Sequence, residues 1–352
     1  MSQLDNRQAP ILIWGAGAIG GTVGAYLVRA GESVIFVDRD ADHVAAINGA
    51  GLKINGPIEE FTIKAPAFLP NQVKGKFNTA CLCVKALHTA AAIEALAPFV
   101  ADDGCVISLQ NGLNEKVIAA KIGEKRTIGA FVNFGADYLS PGLVNYAGRG
   151  AFVIGELDGK ITPRIEELHR LFSQFDPKAV VTPNIWGYLW GKLVYGAILF
   201  GTALTNDSIA DCLAAPKYRS LFIALAREVE TVAMAAGVKM ESFDGFDPAA
   251  FMPGGSTDAA HKSLDDQVTH NRKSAKTHTG IWRDLAVRKR KTEVDAQIGP
   301  IVETGAAKGI PTPLTKKLIT LIHDIEDGRR PLDWSTLDAL AEAMPKAGAP
   351  AQ

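Results

Sequence analysis

The chain has 352 residues, enough at roughly 150 per domain for two domains with a core in each. Hydrophobic residues make up 47% and charged residues 21%, which excludes collagenous, disordered and disulfide-scaffold classes. Thirty-seven basic side chains against 38 acidic ones leave a net charge of -1, and a nucleic-acid binder would show a basic excess.

The opening MSQLDNRQAP has no basic run before an apolar stretch, so no signal peptide is indicated and a cytoplasmic location is expected. Residues 11–14 (ILIW) read as a buried parallel strand. GAGAIG follows at once, from Gly15 through Ala16, Gly17, Ala18 and Ile19 to Gly20. A helix over 22–30 and a second strand over 33–37 complete the unit, which ends at Asp38. This context is what separates a dinucleotide loop from a chance GxGxxG. Gly15 permits the tight turn, Gly17 lets a pyrophosphate approach the backbone, and Gly20 lets helix pack on strand. The helix N-terminus offers free N–H groups and partial positive charge to the phosphates. Asp38 can accept hydrogen bonds from ribose hydroxyls and repel a 2′-phosphate, which favours NAD(H) over NADP(H). Arg39 beside it could instead pair with that phosphate, and Asp38 could also cap the helix that follows.

Farther on, alternating runs with Gly56-Pro57 suggest a hairpin within 51–69. Strands over 79–84 and 105–109 alternate with helices over 87–96 and 115–122, and a second hairpin is expected within 127–157 around Pro141-Gly142. This order argues for a doubly wound parallel sheet. Lys85 and Asn111 fall just past the ends of two of its strands, where ligands bind in such folds. Cys81, Cys83, Cys105 and Cys212 are too few and scattered for a disulfide framework and read as small buried thiols.

After Pro183 helical segments take over, at 185–204, 217–236, 278–291, 293–308 and 314–326, with a loop-rich insertion at 241–276 that could cover a site. The expected division is 1–180, then 181–345, with a disordered tail at 346–352. The stretch 185–204 is apolar except for Lys192. Its four glycines argue for a core helix over a membrane span. Lys192 could snorkel to the surface, or its ammonium could sit in an apolar cleft, where a lowered pKa would suit proton donation. Glu293 opens a helix whose apolar face is Val294, Ile298, Ile301 and Val302, so it can point away from the core. The basic run 288–291 and histidines 261, 270 and 278 read as surface residues.

Taken in order, GAGAIG, VKA with Lys85, LQNG with Asn111, WGKL with Lys192, TEVD with Glu293 and Gly299, and GIPTP resemble the ketopantoate reductases over nearly the whole chain. The resemblance implies an α/β Rossmann domain joined to an all-α domain like that of 6-phosphogluconate dehydrogenases, with the active site between them. It makes Lys192 the general acid, Glu293 the carboxylate that orients substrate and lysine, and Lys85 and Asn111 contacts to cofactor and substrate. Asparagine four and eight residues after the lysine is the family's usual pattern, whereas this chain has Gly196 and Phe200. A serine pair before the last motif is replaced by Thr279-Gly280. The resemblance therefore implies hydride transfer between a nicotinamide and a 2-oxo or 2-hydroxy acid or related ketone or alcohol, with ketopantoate no longer the main substrate. Gly196, Phe200, Thr279, Gly280 and Asn111 are the expected substrate contacts, and no metal is expected. Ketopantoate reduction itself and a non-catalytic dinucleotide sensor are the alternatives. The expected partners are a small hydroxy or oxo substrate and, as an option, a second copy in a homodimer, with neither nucleic acid nor membrane.

Overall fold

The computed structural model describes residues 9–273 and 277–344. It divides into two compact units, Met1–Ile185 and Trp186–Gln352. The expected tail at 346–352 lies outside the described residues.

In the first unit the strands are β1 (Ile11–Trp14), β2 (Val34–Val37), β3 (Leu52–Asn55), β4 (Phe61–Ile63), β5 (Ala67–Phe68) and β6 (Phe77–Leu82). They continue with β7 (Val100–Ser108), β8 (Thr127–Val132), β9 (Gly135–Ser140), β10 (Leu143–Gly148), β11 (Phe152–Glu156) and β12 (Val180–Val181). The helices are α1 (Ala18–Arg29), α2 (Ala41–Gly49), α3 (Thr89–Leu96), α4 (Glu115–Ile122) and α5 (Pro163–Phe172).

Eight strands form the main sheet in the order β12-β11-β8-β7-β6-β1-β2-β5. All its pairings are parallel except β8 with β11, so a mostly parallel sheet carries two reversed strands, β11 and β12, at one edge. Four-residue β1 is buried throughout because both faces are covered. Ile11 and Ile13 belong to one core with α1, α5 and the smaller sheet. Leu12 and Trp14 belong to the other, with α3 and α4. Successive residues of a strand point to opposite faces, so a short continuous apolar run fits this place. At ~1.5–3 kcal/mol for each large apolar side chain taken from water, these four residues alone are a strong local anchor.

The two hairpins form as expected, β3 with β4 and β9 with β10, the latter turning at Pro141-Gly142. Sequence reading did not foresee that β10 pairs parallel with β3, which fuses them into a separate sheet ordered β4-β3-β10-β9. Nothing local in either hairpin specifies a partner about 90 residues away.

The second unit holds α6 (Ile185–Thr202), α7 (Ile209–Ala214), α8 (Arg219–Ala235), α9 (Thr257–Lys273) and the single turn α10 (Gly280–Trp282). It continues with α11 (Val294–Gln297), α12 (Gly299–Lys308), α13 (Pro313–Glu326) and α14 (Trp334–Ala341). No described helix is long and apolar enough to cross a membrane.

Three expectations need correction here. The stretch read as a loop-rich insertion contains α9, a 17-residue helix. Its buried Ala260, Leu264 and Val268 recur every fourth residue, a stripe narrow enough to be lost among polar neighbours. The single helix expected over 278–291 is a short turn followed by a π-helical segment at Arg283–Val287. The one expected over 293–308 breaks at Ile298, because Gly299-Pro300 follows. Proline lacks the N–H that would continue the ladder back to residue 296 and suits the first turn of a new helix.

Candidate active site

The glycine turn lies between the ends of β2 and β6: Gly15 N donates to the Val37 carbonyl and Cys83 N to the Trp14 carbonyl, each at 2.8 Å. Gly15 has φ +103°, and a Cβ there would come within 2.9 Å of the Cys83 and Val84 backbone. A Cβ on Gly20 would strike the Gly15 carbonyl and Ile13, so α1 can sit this close to β1 only with glycine at that position. Around Gly17 nothing lies within 4 Å of a built Cβ. That open cradle at the start of α1, with no side-chain cap and no acid in the first turn, suits the pyrophosphate of a dinucleotide.

Ala16, between these glycines, is fixed from both sides. Its N–H donates to Asp38 Oδ2 at 2.9 Å. Its carbonyl lies 2.8 Å from Nε2 of His43, a side chain only 1% exposed. The other ring nitrogen, Nδ1, accepts from Gly142 N at 2.9 Å. One ring nitrogen must accept and the other donate, so the geometry selects a neutral imidazole carrying its proton on Nε2. Through His43 the glycine loop is tied to the β9–β10 turn. Asp38 Oδ1 accepts from Asp40 N at 3.0 Å, which leaves the carboxylate oriented, half-buried and with lone pairs to spare for ribose hydroxyls. The capping role falls instead to Asp40, which accepts from Asp42 N and His43 N at the start of α2.

Arg39 is exposed. Its charge and that of half-buried Lys85 both reach His88, whose pKa lies below the usual histidine value, first through burial and then through these two cations. Lys85 precedes a short turn at Ala86–His88 after β6, and exposed Asn111 sits in the turn after β7, followed by Gly112 at φ +96°. Since β1 neighbours both β2 and β6, and β6 neighbours β7, the glycine turn, Asp38, Lys85 and Asn111 gather at one end of the sheet. Burial pushes the thiols of Cys81, Cys83, Cys105 and Cys212 upward, which keeps them protonated and unreactive.

The second unit contains the remaining predicted residues. Lys192 is half-buried on α6, next to buried Leu193 and Val194. One turn on, a Cβ built at Gly196 meets nothing within 4 Å. The segment after α8 clasps another side of this helix: Glu241 N donates to the Gly187 carbonyl at 3.1 Å, and a Cβ at Gly191 would collide with the Glu241 carbonyl. Phe243 and Phe246 pack against Tyr195, whose ring lies 4.9 Å from that of Phe246. Gly191 thus makes room for this strap, while Gly196 stays open.

Glu293 is half-buried at the N-cap position of α11, where its side chain makes no capping hydrogen bond. Its neighbours hold it in register. Thr292 donates from N and Oγ1 to Glu326 at 2.6 and 2.7 Å, Val294 is buried, and Asp295 pairs with His323 at 2.9 Å. Thr279 is buried and its hydroxyl accepts from Trp282 N at 2.9 Å, a helix-capping role, while Gly280 is exposed with open space about it. Phe200 corrects an expectation. It has no exposed surface and is a core residue of the helical unit, so it is not positioned to touch a substrate.

Sequence reading also passed over Glu115, the first residue of α4. It is completely buried, and neither carboxyl oxygen has a full hydrogen-bond partner. Desolvation drives its pKa up to about 8, against weaker opposite pulls from backbone N–H groups and the Ser108 hydroxyl. A shift of that size corresponds to roughly 5 kcal/mol. The favourable field of a helix N-terminus, ~0.3–2 kcal/mol, is too small to offset it.

The family description "Ketopantoate reductase PanE/ApbA" matches residues 11–159, and its C-terminal counterpart matches 184–326. The chain belongs to the ketopantoate reductase family. A curated 2-dehydropantoate 2-reductase of Pyrococcus abyssi is 30% identical over 320 residues, covering 90% of this chain and 97% of that protein. One from Mesorhizobium japonicum is 27% identical over 338 residues, covering 89% and 96%. A ketopantoate reductase structure from Ralstonia eutropha JMP134 superposes with TM-score 0.76 at 27% identity, over 91% of this chain and 99% of that one. The structure of D-mandelate dehydrogenase with NADH and anilino(oxo)acetate gives TM-score 0.78 at 23% identity over the same shares, a likeness of fold. This ketopantoate reductase family member is an oxidoreductase acting on CH–OH groups with a nicotinamide cofactor.

Glu115 makes stability depend on pH. Between the usual glutamate range near 4.5 and about 8, the folded chain keeps a proton that the unfolded chain has lost. Stability therefore falls as pH rises through that window, with the full cost present above it and none below. Glu115→Gln removes the titrating group. Its melting temperature relative to wild type should rise by several degrees between pH 5 and pH 8.5. A difference that stays constant across that range contradicts the account.

Proposed function

We propose that the chain reduces a 2-oxo acid, or oxidises the matching 2-hydroxy acid, other than ketopantoate, and that it favours NAD(H) over NADP(H). The observation that carries the substrate reading is on α6. Lys192 is followed one turn later by Gly196, which presents open space where the family usually presents an asparagine. Two turns later Phe200 is sealed in the core. Neither position supplies the amide that would grip a small hydroxylated acid, and losing such hydrogen bonds costs ~10²-fold or more in specificity. The vacant volume at Gly196 suits a substrate with more bulk. A second reading, ketopantoate reduction itself, draws support from the names of the curated relatives.

A nicotinamide cofactor held by the glycine turn and Asp38 would supply the hydride for the carbonyl carbon, or accept it in the reverse direction. The ammonium of Lys192 donates a proton to the carbonyl oxygen, so that C=O, hydride and proton become CH–OH. The carboxylate of Glu293 holds the lysine and the substrate in position, helped by the anchoring of Thr292 and Val294 on either side of it. Asn111 orients the reacting groups, and Lys85 meets the cofactor. The NAD(H) preference follows from Asp38, whose charge at the end of β2 is fixed by two backbone N–H groups and would repel a 2′-phosphate.

Lys192→Ala should lower turnover by about 10²–10⁴ while cofactor affinity stays near wild type. A variant that keeps most of its activity would assign Lys192 to the surface instead. The substrate reading is tested by steady-state rates on a panel of ketopantoate, bulkier aliphatic 2-oxo acids and benzoylformate, the 2-oxo acid of the mandelate named for one structural relative. A bulkier acid should be preferred. Ketopantoate reduction near ~10⁵ M⁻¹s⁻¹ or above, the range of ordinary enzymes, overturns the reading in favour of the second.

A further inference from the structure

Two loops carry Lys85 and Asn111, and a chain of buried side chains joins them. They leave adjacent parallel strands, β6 and β7, whose last paired residues are Leu82 and Ser108. Beyond that pair the main-chain ladder stops, apart from Leu109 N donating to the Leu82 carbonyl at 3.0 Å. Side chains then take over.

Gln110 is 5% exposed, and its amide reaches back across the gap between the loops. Nε2 donates one hydrogen to the Val84 carbonyl at 2.9 Å and the other to Thr89 Oγ1 at 2.8 Å. Thr89 is 1% exposed. Its hydroxyl lies 2.8 Å from the Ala86 carbonyl and 2.7 Å from Asn114 Oδ1, so one proton is shared between two acceptors. Asn114 is likewise buried, and its Nδ2 donates to the Asn111 carbonyl at 2.6 Å. The carbonyls held are thus those of Val84 and Ala86, on either side of Lys85, and that of Asn111. Both Gln110 hydrogens and the Thr89 proton are used, so removing one member strands polar groups on its neighbours.

We propose that Gln110, Thr89 and Asn114 form a latch that sets the position of the Lys85 loop against the Asn111 loop. All three are positioning residues; the proposed contacts to the ligand are made by Lys85 and Asn111, so the inference rests on the functional reading above. A displacement of either loop by a fraction of an ångström would move both ligand contacts together. A latch of this kind should therefore act on cofactor affinity and on turnover, as well as on the local stability of both loops.

The test uses the full-length protein with NADH as probe. Amide hydrogen exchange at 84–89 and at 110–114, the NADH Kd, and kcat and KM are measured for wild type, Thr89→Val and Thr89→Ser. Valine keeps the shape and removes the hydroxyl, while serine restores the hydroxyl. Thr89→Val should speed exchange about tenfold in both segments and raise the NADH Kd about tenfold, with kcat also reduced. Thr89→Ser should return each quantity to within about twofold of wild type. If Thr89→Val does not fold, Asn114→Ser carries the same test from the rim of the network.

Unchanged exchange in either segment overturns the latch. So does faster exchange with wild-type Kd and kcat, which is what a purely structural network would give. Lys85→Ala and Asn111→Ala are titrated with NADH alongside. If both bind as wild type while Thr89→Val still loosens both loops, the assignment of the ligand contacts fails and the coupling between the loops stands.

Discussion

Ala16 is gripped at both ends: Asp38 takes its N–H and His43 approaches its carbonyl within hydrogen-bond distance. These two contacts fix the middle of the glycine turn, and much of the first unit is arranged to make them possible. Asp38 must stand at the end of β2, which requires β2 beside β1. His43 must lie on the first turn of α2 with its other nitrogen turned to Gly142, which requires the second sheet to pack where it does. The three glycines answer different demands within this frame. Gly15 accepts a left-handed backbone against Cys83 and Val84, Gly20 lets α1 lie on β1, and Gly17 leaves the cradle open.

The neighbouring loops extend the same logic. A side-chain network replaces the sheet ladder where β6 and β7 end, so Lys85 and Asn111 are held by buried amides and a hydroxyl. Burial raises what is at stake in such contacts, since an unsatisfied polar group in a dry interior costs ~1–3 kcal/mol. Glu115, one residue beyond the latch, shows the cost left uncompensated: its pKa reaches about 8 because no full partner offsets desolvation. The helical unit uses a different device. Gly191 admits the strap after α8 against α6, while Gly196 keeps the volume beside Lys192 free.

Local patterns made the dinucleotide unit, the alternating strands and helices, and the two hairpins legible in the sequence. Glycine spacing and apolar periodicity act over a few residues, and there the reading and the structure coincide. The second sheet was hidden because the pairing of β3 with β10 depends on contacts far apart in the chain. The polar texture of α9 concealed its one apolar stripe. Phe200 was misjudged because helical spacing gives the face of a residue only roughly, and two turns from Lys192 that face already belongs to the core. Gln110, Thr89 and Asn114 looked like ordinary loop residues, since polar side chains reveal their partners only when strands β6 and β7 lie side by side.

On the proposed reading, the carboxylate locked to the glycine turn chooses the cofactor. Equilibrium titration of the wild type and of Asp38→Ala with NADH and NADPH tests it most directly. The wild type should bind NADH more tightly, and Asp38→Ala should narrow the gap by gaining NADPH affinity as well as losing NADH affinity. A clear wild-type preference for NADPH, unchanged by Asp38→Ala, would give the site to Arg39 and contradict the account.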